Sequence, residues 1–252
     1  MAKLDGKVAI VTGGANGIGR AICEAFCSAG ASTLVVDQAV DSAADVVAAI
    51  HNSGGAARSY QCDVSKSDEA KDAVNACVAH FGRIDIVVSG AAIFSPVGPL
   101  HELEESDWNQ ALAVNLSGAY HIAKHAIPEL KRGGGGTVIL IASQMAQVAN
   151  AGQAVYCATK GALVQLAKGM ALDYVDDNIR VNTLSPGGVA TDRLAKRFGD
   201  LEQAEKIWGP KHPMGRLGRP HEIANGAVFL ASDDASFMTG ADLLLDGGYT
   251  AW

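Results

Sequence analysis

An apolar, β-rich run, Lys7-Val-Ala-Ile-Val-Thr12, enters a loop that carries Gly13, Gly14, Gly17 and Gly19, and Ile18, Ile22, Ala25, Phe26 and Ala29 then recur at helical spacing. The segment reads as a strand, a glycine loop and a helix. Glycines in such a loop let the backbone turn tightly and approach a pyrophosphate, whose charge is met by the free N–H groups of the helix N-terminus. Gly13, Asn16, Gly17, Ile18 and Gly19 are the candidate phosphate contacts. Their spacing, G-x3-G-x-G across Gly13, Gly17 and Gly19, differs from the G-x-G-x-x-G of the common dinucleotide fingerprint. A glycine-rich hairpin is the competing reading, and the helical periodicity after Gly19 argues against it.

Strand and helix signals then alternate along the chain. Strands are expected near 7–12, 32–36, 57–62, 84–89, 137–142, 179–184 and 242–245, with helical stretches between them. Alternation of this kind implies parallel strands joined by right-handed crossovers, with helices on both faces. The expected fold is α/β, a Rossmann-like, doubly wound parallel sheet of seven strands. No linker or low-complexity segment interrupts the 252 residues, so a single domain over 1–252 is expected. A composition that is 48 % apolar and rich in Ala, Val and Gly suits buried parallel strands and close helix packing.

A formal net charge of −7 offers no basic face and argues against a nucleic-acid partner. No run approaches the length that spans a bilayer, and the start MAKLDGKVAI lacks the n- and h-regions of a signal peptide. The expectation is a cytoplasmic protein with no membrane partner. Cysteines at 23, 27, 62, 77 and 157 show no C-x-x-C and no paired spacing, and read as small buried thiols. Cys23 with Cys27, and His121 with His125, share helix faces but lack obvious third and fourth ligands, so no metal is expected.

The second strand, Ser32-Thr-Leu-Val-Val-Asp37, ends on a carboxylate eighteen residues after Gly19. Beside an adenosine ribose, a carboxylate there accepts hydrogen bonds from the hydroxyls and repels a 2′-phosphate, which selects NAD over NADP. Ala15 and Gln38 offer no cation that would neutralise that phosphate. Without the upstream glycines the same aspartate would be an ordinary loop residue.

Farther along lies Tyr156-Cys-Ala-Thr-Lys160, with Ser143 thirteen residues before the tyrosine. Residues four apart share a helix face, so the phenol and the ammonium stand side by side. A phenol has a pKa of about 10, and a nearby cation favours its ionised form, which moves it toward proton-transfer duty. The serine hydroxyl can hold a carbonyl oxygen next to that phenol. By itself Tyr-x3-Lys also fits an exposed lysine beside a half-buried tyrosine.

Together these motifs resemble the short-chain dehydrogenase/reductase family in its compact form, from Lys3 to the C-terminus. The family's TGxxxGxG matches Thr12 to Gly19, and the aspartate that closes its third strand matches Asp63, followed by Val64. Its tetrad maps to Asn115, Ser143, Tyr156 and Lys160, and its PGxxxT segment to Pro186, Gly187 and Thr191, with Val189 inside it. Asp246-Gly247-Gly248 matches the terminal strand. The resemblance implies that NAD is the cofactor and that Tyr156 is the acid/base. It also implies that Lys160 lowers the tyrosine pKa and bonds the nicotinamide ribose, that Ser143 orients the substrate oxygen, and that Asn115 holds a proton-relaying water. One departure is Ser89-Gly90-Ala91-Ala92, where the family usually has NNAG. Gly90 still admits the backbone near the adenine ribose, but an asparagine that looks structural in relatives is lost.

By the same resemblance the substrate pocket is lined by Ile93-Phe94-Ser95-Pro96, by Gln144 to Gln153, and by a lid over about 190–213. Phe94, Gln144, Gln153 and Gly188 are the candidate substrate contacts. Leu194, Phe198, Leu201 and Trp208 form an apolar stripe that either closes over substrate or packs a helix on its own domain. Arg193, Lys196, Arg197, Lys206 and Lys211 at first suggest an anionic substrate. Asp192, Asp200, Glu202 and Glu205 share the segment and favour a solvated surface instead.

The expected activity is NAD-dependent interconversion of a small secondary alcohol, cyclic or polyhydroxylated, and its ketone. An acyl-carrier-protein ketoreductase is disfavoured by Asp37, and a non-catalytic NAD-binding sensor or scaffold has no need of the serine, tyrosine and lysine together. A homotetramer is implied, built through the helices containing Asn115 and Tyr156, with Ala158, Ala162, Leu166, Gly169 and Met170 as the contact face, and through the terminal strand near Leu243 to Leu245.

Overall fold

The computed structural model describes residues 2–251. Its strands are β1 (Val8–Thr12), β2 (Ser32–Asp37), β3 (Ala56–Gln61), β4 (Ile86–Ser89), β5 (Gly136–Ile141), β6 (Ile179–Pro186) and β7 (Asp242–Leu245). They pair in parallel as one seven-stranded sheet in the order β3-β2-β1-β4-β5-β6-β7. The helices are α1 (Gly17–Ser28), α2 (Val40–Asn52), α3 (Ser67–Phe81), α4 (Glu105–Leu112), α5 (Gly118–Arg132), α6 (Ala154–Tyr174), α7 (Asp192–Phe198), α8 (Leu201–Trp208) and α9 (Pro220–Ala231). Every strand expected from the sequence is present, with bounds within two residues.

Side chains alternate across a strand, so a sheet covered on both faces needs apolar residues at every position. In β1, Val8 and Ile10 point into a core built with α3, α5 and α6, through Val74, Ile122 and Leu163. Ala9 and Val11 point the other way, into a core built with α1, α2 and α9, through Phe26, Val46 and Leu230. All five β1 residues are buried as a result.

The strand order reverses between β1 and β4, and such a switch point opens a crevice at the carboxyl ends of the strands. Thr12 and Ser89 are register partners at those ends, and the glycine loop and the departing Ser89-Gly90-Ala91-Ala92 segment leave the sheet side by side. A Cβ on Gly13 would stand 2.8 Å from the Ala91 Cα, and one on Gly90 2.8 Å from the Thr12 carbonyl oxygen. Both glycines exist for this close approach. The Thr12 hydroxyl accepts from the N–H groups of Gly90 (3.1 Å) and Ala91 (3.3 Å), so the two loops are tied without the asparagine of the usual motif.

The lid differs from the single apolar stripe expected from sequence. Gly199, at φ 101°, breaks it into α7 and α8, and the face of one does not continue into the other. Leu201 is exposed, whereas Phe198 packs on Trp208 with ring centroids 6.4 Å apart. Among the described residues no helix is long and apolar enough to cross a membrane.

Candidate active site

One cleft of about 570 Å³ runs across the carboxyl ends of the strands, within the usual range for small-molecule sites. Gly13, Asn16, Gly17, Ile18 and Gly19 line it where α1 begins, and Asp37, Asp63, Val64 and Gly90 line the neighbouring wall. Gly17 sits at φ 54°, and a Cβ there would stand 3.2 Å from the Thr191 methyl, so the glycine loop and the Pro186–Thr191 segment meet across the cleft. A Cβ on Gly19 would stand 2.0 Å from the Gly13 carbonyl oxygen. Asp37 accepts from the N–H groups of Ala15 (3.1 Å) and Ala39 (3.0 Å), which holds its carboxylate at the end of β2. The Ser65 hydroxyl (2.7 Å) bonds Asp63 and holds its carboxyl below the usual range.

Ser143, Tyr156 and Lys160 line the same cleft farther along. Ser143 follows β5 and caps the short helical turn Gln144–Ala146, its hydroxyl accepting from the Met145 N–H at 3.1 Å. Tyr156 and Lys160 lie in the first two turns of α6, with the ammonium 5.7 Å from the centre of the tyrosine ring. Lys160 is buried and donates to the Ile141 carbonyl at 2.7 Å. Burial, with a smaller contribution from Arg193, brings its pKa down to about 7. For Tyr156 burial wins in the opposite sense and raises the pKa, while the Ser143 hydroxyl and the charges of Arg193 and Arg197 pull it back down. This corrects the expectation that Lys160 sets the tyrosine's ionisation. Desolvation disfavours both charged forms at once, and the lysine favours phenolate only while it carries its own proton.

Of the tetrad and the candidate cofactor and substrate contacts, Asn115 alone does not line the cleft, and of the expected pocket loops Ser95 and Pro96, among others, also stay outside it. It sits in a π-helical turn, Ala113–Ser117, between α4 and α5, and such a turn rotates a side chain out of its helical face. The amide oxygen accepts from the Ile93 N–H (2.7 Å), and the amide nitrogen donates to the Ile93 carbonyl (3.0 Å). Asn115 thus fixes the loop that presents Phe94, and it reaches Thr159, the neighbour of Lys160, at 3.4 Å. Nothing in the spacing of residues foretold that link.

At the substrate end, Phe94 stands 5.4 Å from the Tyr156 ring. Gln144 is buried, and its side-chain oxygen has no donor. Gln153 is buried just before α6, and the end of its amide that faces both terminal nitrogens of Arg197, at 2.8 and 2.6 Å, is assigned as the oxygen because only an acceptor satisfies those donors. Gly188 lies against His212, whose Nε2 accepts from the Gly188 N–H (3.1 Å) while Nδ1–H donates to the Trp208 carbonyl (2.8 Å). The lid end is pinned to the cleft by this buried imidazole. Pro186, Gly187, Val189 and Thr191 complete the wall, and the Thr191 hydroxyl caps α7 at the Leu194 N–H. The cysteine and histidine pairs go to separate partners: Cys27 to Thr33 and Ala56, His121 to Val64, His125 to Ser67.

A family profile described as Enoyl-(Acyl carrier protein) reductase matches residues 13–250. D-threitol dehydrogenase of Mycolicibacterium smegmatis is 40% identical, over 98% of this chain and 94% of its own. The 2,5-dichloro-2,5-cyclohexadiene-1,4-diol dehydrogenase LinX of Sphingobium indicum is 41% identical over 98% of both chains. The crystal structure of a short-chain type dehydrogenase/reductase from Mycobacterium marinum superposes with a TM-score of 0.93 at 34% identity, over 99% of this chain and 98% of the other. The chain belongs to the short-chain dehydrogenase/reductase family.

Short-chain dehydrogenases/reductases bind a nicotinamide dinucleotide, and the residues present fit one. Gly13, Gly19 and Gly90 let backbone segments close on one another where α1 begins, which leaves that end of the cleft a cradle walled by main chain, and the buried Gln144 side-chain oxygen has no donor within the chain. Arg193 and Arg197 are exposed, as the sequence suggests for lid charges, and both also line the cleft. The balance of lid charges does not show that the two arginines border the cleft, since sequence proximity does not say which cation meets which acid.

Proposed function

We propose that the protein is an NAD-dependent alcohol dehydrogenase or ketone reductase acting on a small secondary alcohol, cyclic or polyhydroxylated. The observation that carries this reading is that Ser143, Tyr156 and Lys160 share one cleft with the glycine cradle. When bound, the nicotinamide supplies or takes the hydride. Tyr156 gives its phenolic proton to the substrate oxygen in reduction and takes the hydroxyl proton in oxidation. Ser143 holds that oxygen next to the phenol. Lys160, with its pKa near 7, carries a proton that can be exchanged close to neutral pH and favours the phenolate whenever it is charged.

NAD is favoured because the adenosine end of the cleft presents Asp37 and Asp63, and no lysine or arginine lines that end among the described residues. A 2′-phosphate would meet a carboxylate there with no cation to offset it. The names of the relatives, a threitol and a cyclic diol dehydrogenase, support a hydroxylated substrate. The test is a panel of cyclic alcohols, diols, polyols and hydroxysteroids assayed by nicotinamide absorbance with NAD and with NADP in parallel. Turnover of secondary alcohols with a higher kcat/KM for NAD is expected. A preference for NADP would refute the role given to Asp37, and no turnover of any alcohol or ketone would refute the enzyme.

We also propose a homotetramer. Its supporting feature is a run of exposed apolar and small residues on the outer side of α4–α6, with Trp108, Tyr120, Ala158, Gly169 and Leu172 uncovered. Met170, counted in that face from sequence, is buried in the monomer's own core, and Leu166 packs against the same core.

A further inference from the structure

Two of the four lid acids, Asp200 and Glu205, are committed elsewhere. Asp200 caps α8 at the Gln203 N–H (2.8 Å), and Glu205 bonds the Leu217 N–H (2.9 Å) and faces Arg219 (3.6 Å). Among the described residues neither Arg193 nor Arg197 is ion-paired to a carboxylate, although Asp192 lines the same cleft. Both guanidinium groups instead stand over Phe94, at 5.3 and 5.6 Å from its ring centre, and Phe94 adjoins Tyr156. Each is also held in place. Arg193 donates to the Ala92 carbonyl, and Arg197 places both terminal nitrogens on the buried Gln153 oxygen. Two oriented cations therefore face the tyrosine across a partly apolar wall.

From this arrangement we infer that the substrate carries a carboxylate, held by Arg197 together with Arg193 at the lid while its hydroxyl sits at Tyr156. The inference rests on the alcohol-dehydrogenase reading for the position of the hydroxyl. A guanidinium is less strongly hydrated than an ammonium, and its fork of five N–H donors leaves an outer edge free to grip a carboxylate after one side is bonded to the protein. A cofactor pyrophosphate is the other anion that could meet these arginines. It belongs at the start of α1, beside Gly17 and Gly19, whereas both guanidinium groups stand over Phe94, whose ring adjoins Tyr156.

The test is calorimetric titration of the NAD-saturated protein with 4-hydroxycyclohexanecarboxylate and with its carboxamide. In the wild type the carboxylate should bind at least about tenfold tighter, as charge-assisted, bidentate contacts give. Arg197→Gln should reduce that ratio to within about twofold, and Arg197→Lys should restore only part of it because an ammonium cannot reproduce the fork. In turnover the loss should appear in KM for the carboxylate more than in kcat. Equal binding of the two probes by the wild type would overturn the inference, as would a ratio that survives Arg193→Gln combined with Arg197→Gln. Weakened binding of NAD alone in Arg197→Gln, by as large a factor, would assign the arginine to the pyrophosphate and overturn it too. Oxidation of cyclohexanol and the carboxamide without any carboxylate preference would leave the dehydrogenase reading intact while removing this one. Arginine-dependent carboxylate binding without turnover of any alcohol would do the reverse.

Discussion

Lys160 keeps its Nζ on the Ile141 carbonyl inside a wall where Arg193 is the other charge it feels, and burial brings its pKa to about 7. Between that value and the ordinary lysine value of about 10.4, the unfolded chain holds a proton that the folded chain has released. Unfolding then takes up a proton, so this residue makes the fold more stable as pH rises through the window and less stable as pH falls toward 7. Urea denaturation of the wild type and of Lys160→Met at pH 7 and pH 9 should show it. The wild type is expected to gain stability on Lys160→Met as pH rises, and parallel curves would mean that the lysine is not desolvated. Tyr156 lies beside it with its proton retained by burial, which suits a donor to a substrate oxygen. Tyr156→Phe removes that proton and little packing volume. Turnover should fall by roughly 10²–10⁴, with calorimetric NAD affinity nearly unchanged, and a variant that keeps most of its rate would show that another group carries the proton.

Beyond the strand ends of β1 and β4, the Thr12 hydroxyl adds to the backbone bond from the Gly90 N–H to the Thr12 carbonyl. Thr12 Oγ1 accepts from two successive N–H groups beyond β4, in a segment whose glycine cannot accept a larger residue. Thr12→Val keeps the shape and strands the Ala91 N–H, while the Gly90 N–H keeps its bond to the Thr12 carbonyl (3.1 Å). A loss of roughly 1–3 kcal/mol is expected, seen as a fall of several degrees in Tm together with weaker dinucleotide binding, since Gly13 and Gly90 form the cradle. An unchanged Tm would mean that water satisfies the Ala91 N–H. The π-helical turn between α4 and α5 acts at the same scale, because it carries Asn115 inward to bond both backbone groups of Ile93. Sequence periodicity could suggest a helix around Asn115, but a one-residue widening of its hydrogen-bond ring leaves no signature in residue types.

For the whole molecule, the uncovered apolar side chains on α4–α6, Leu172 at 80% exposure among them, and the outer edge of β7 are where further copies would pack. Light scattering at micromolar concentration should report four times the chain mass of 25.9 kDa, and Leu172→Asp should lower the assembly state; a stable monomer would end the tetramer proposal. The order of strands and helices was legible because apolar periodicity, glycine turns and crossover handedness are local or nearly local properties. The glycine cradle, Asp37 at the end of β2 and the Tyr156–Lys160 spacing were legible for the same reason: each is a constraint on a few neighbouring residues. What only the tertiary structure decided involves partners far apart in the chain: Asn115 on Ile93, Thr12 on Gly90 and Ala91, Gln153 on Arg197, and the two lid arginines over Phe94. The ionisation of Tyr156 and Lys160 belongs with these. Desolvation depends on everything packed around a group, and no spacing along the chain encodes it.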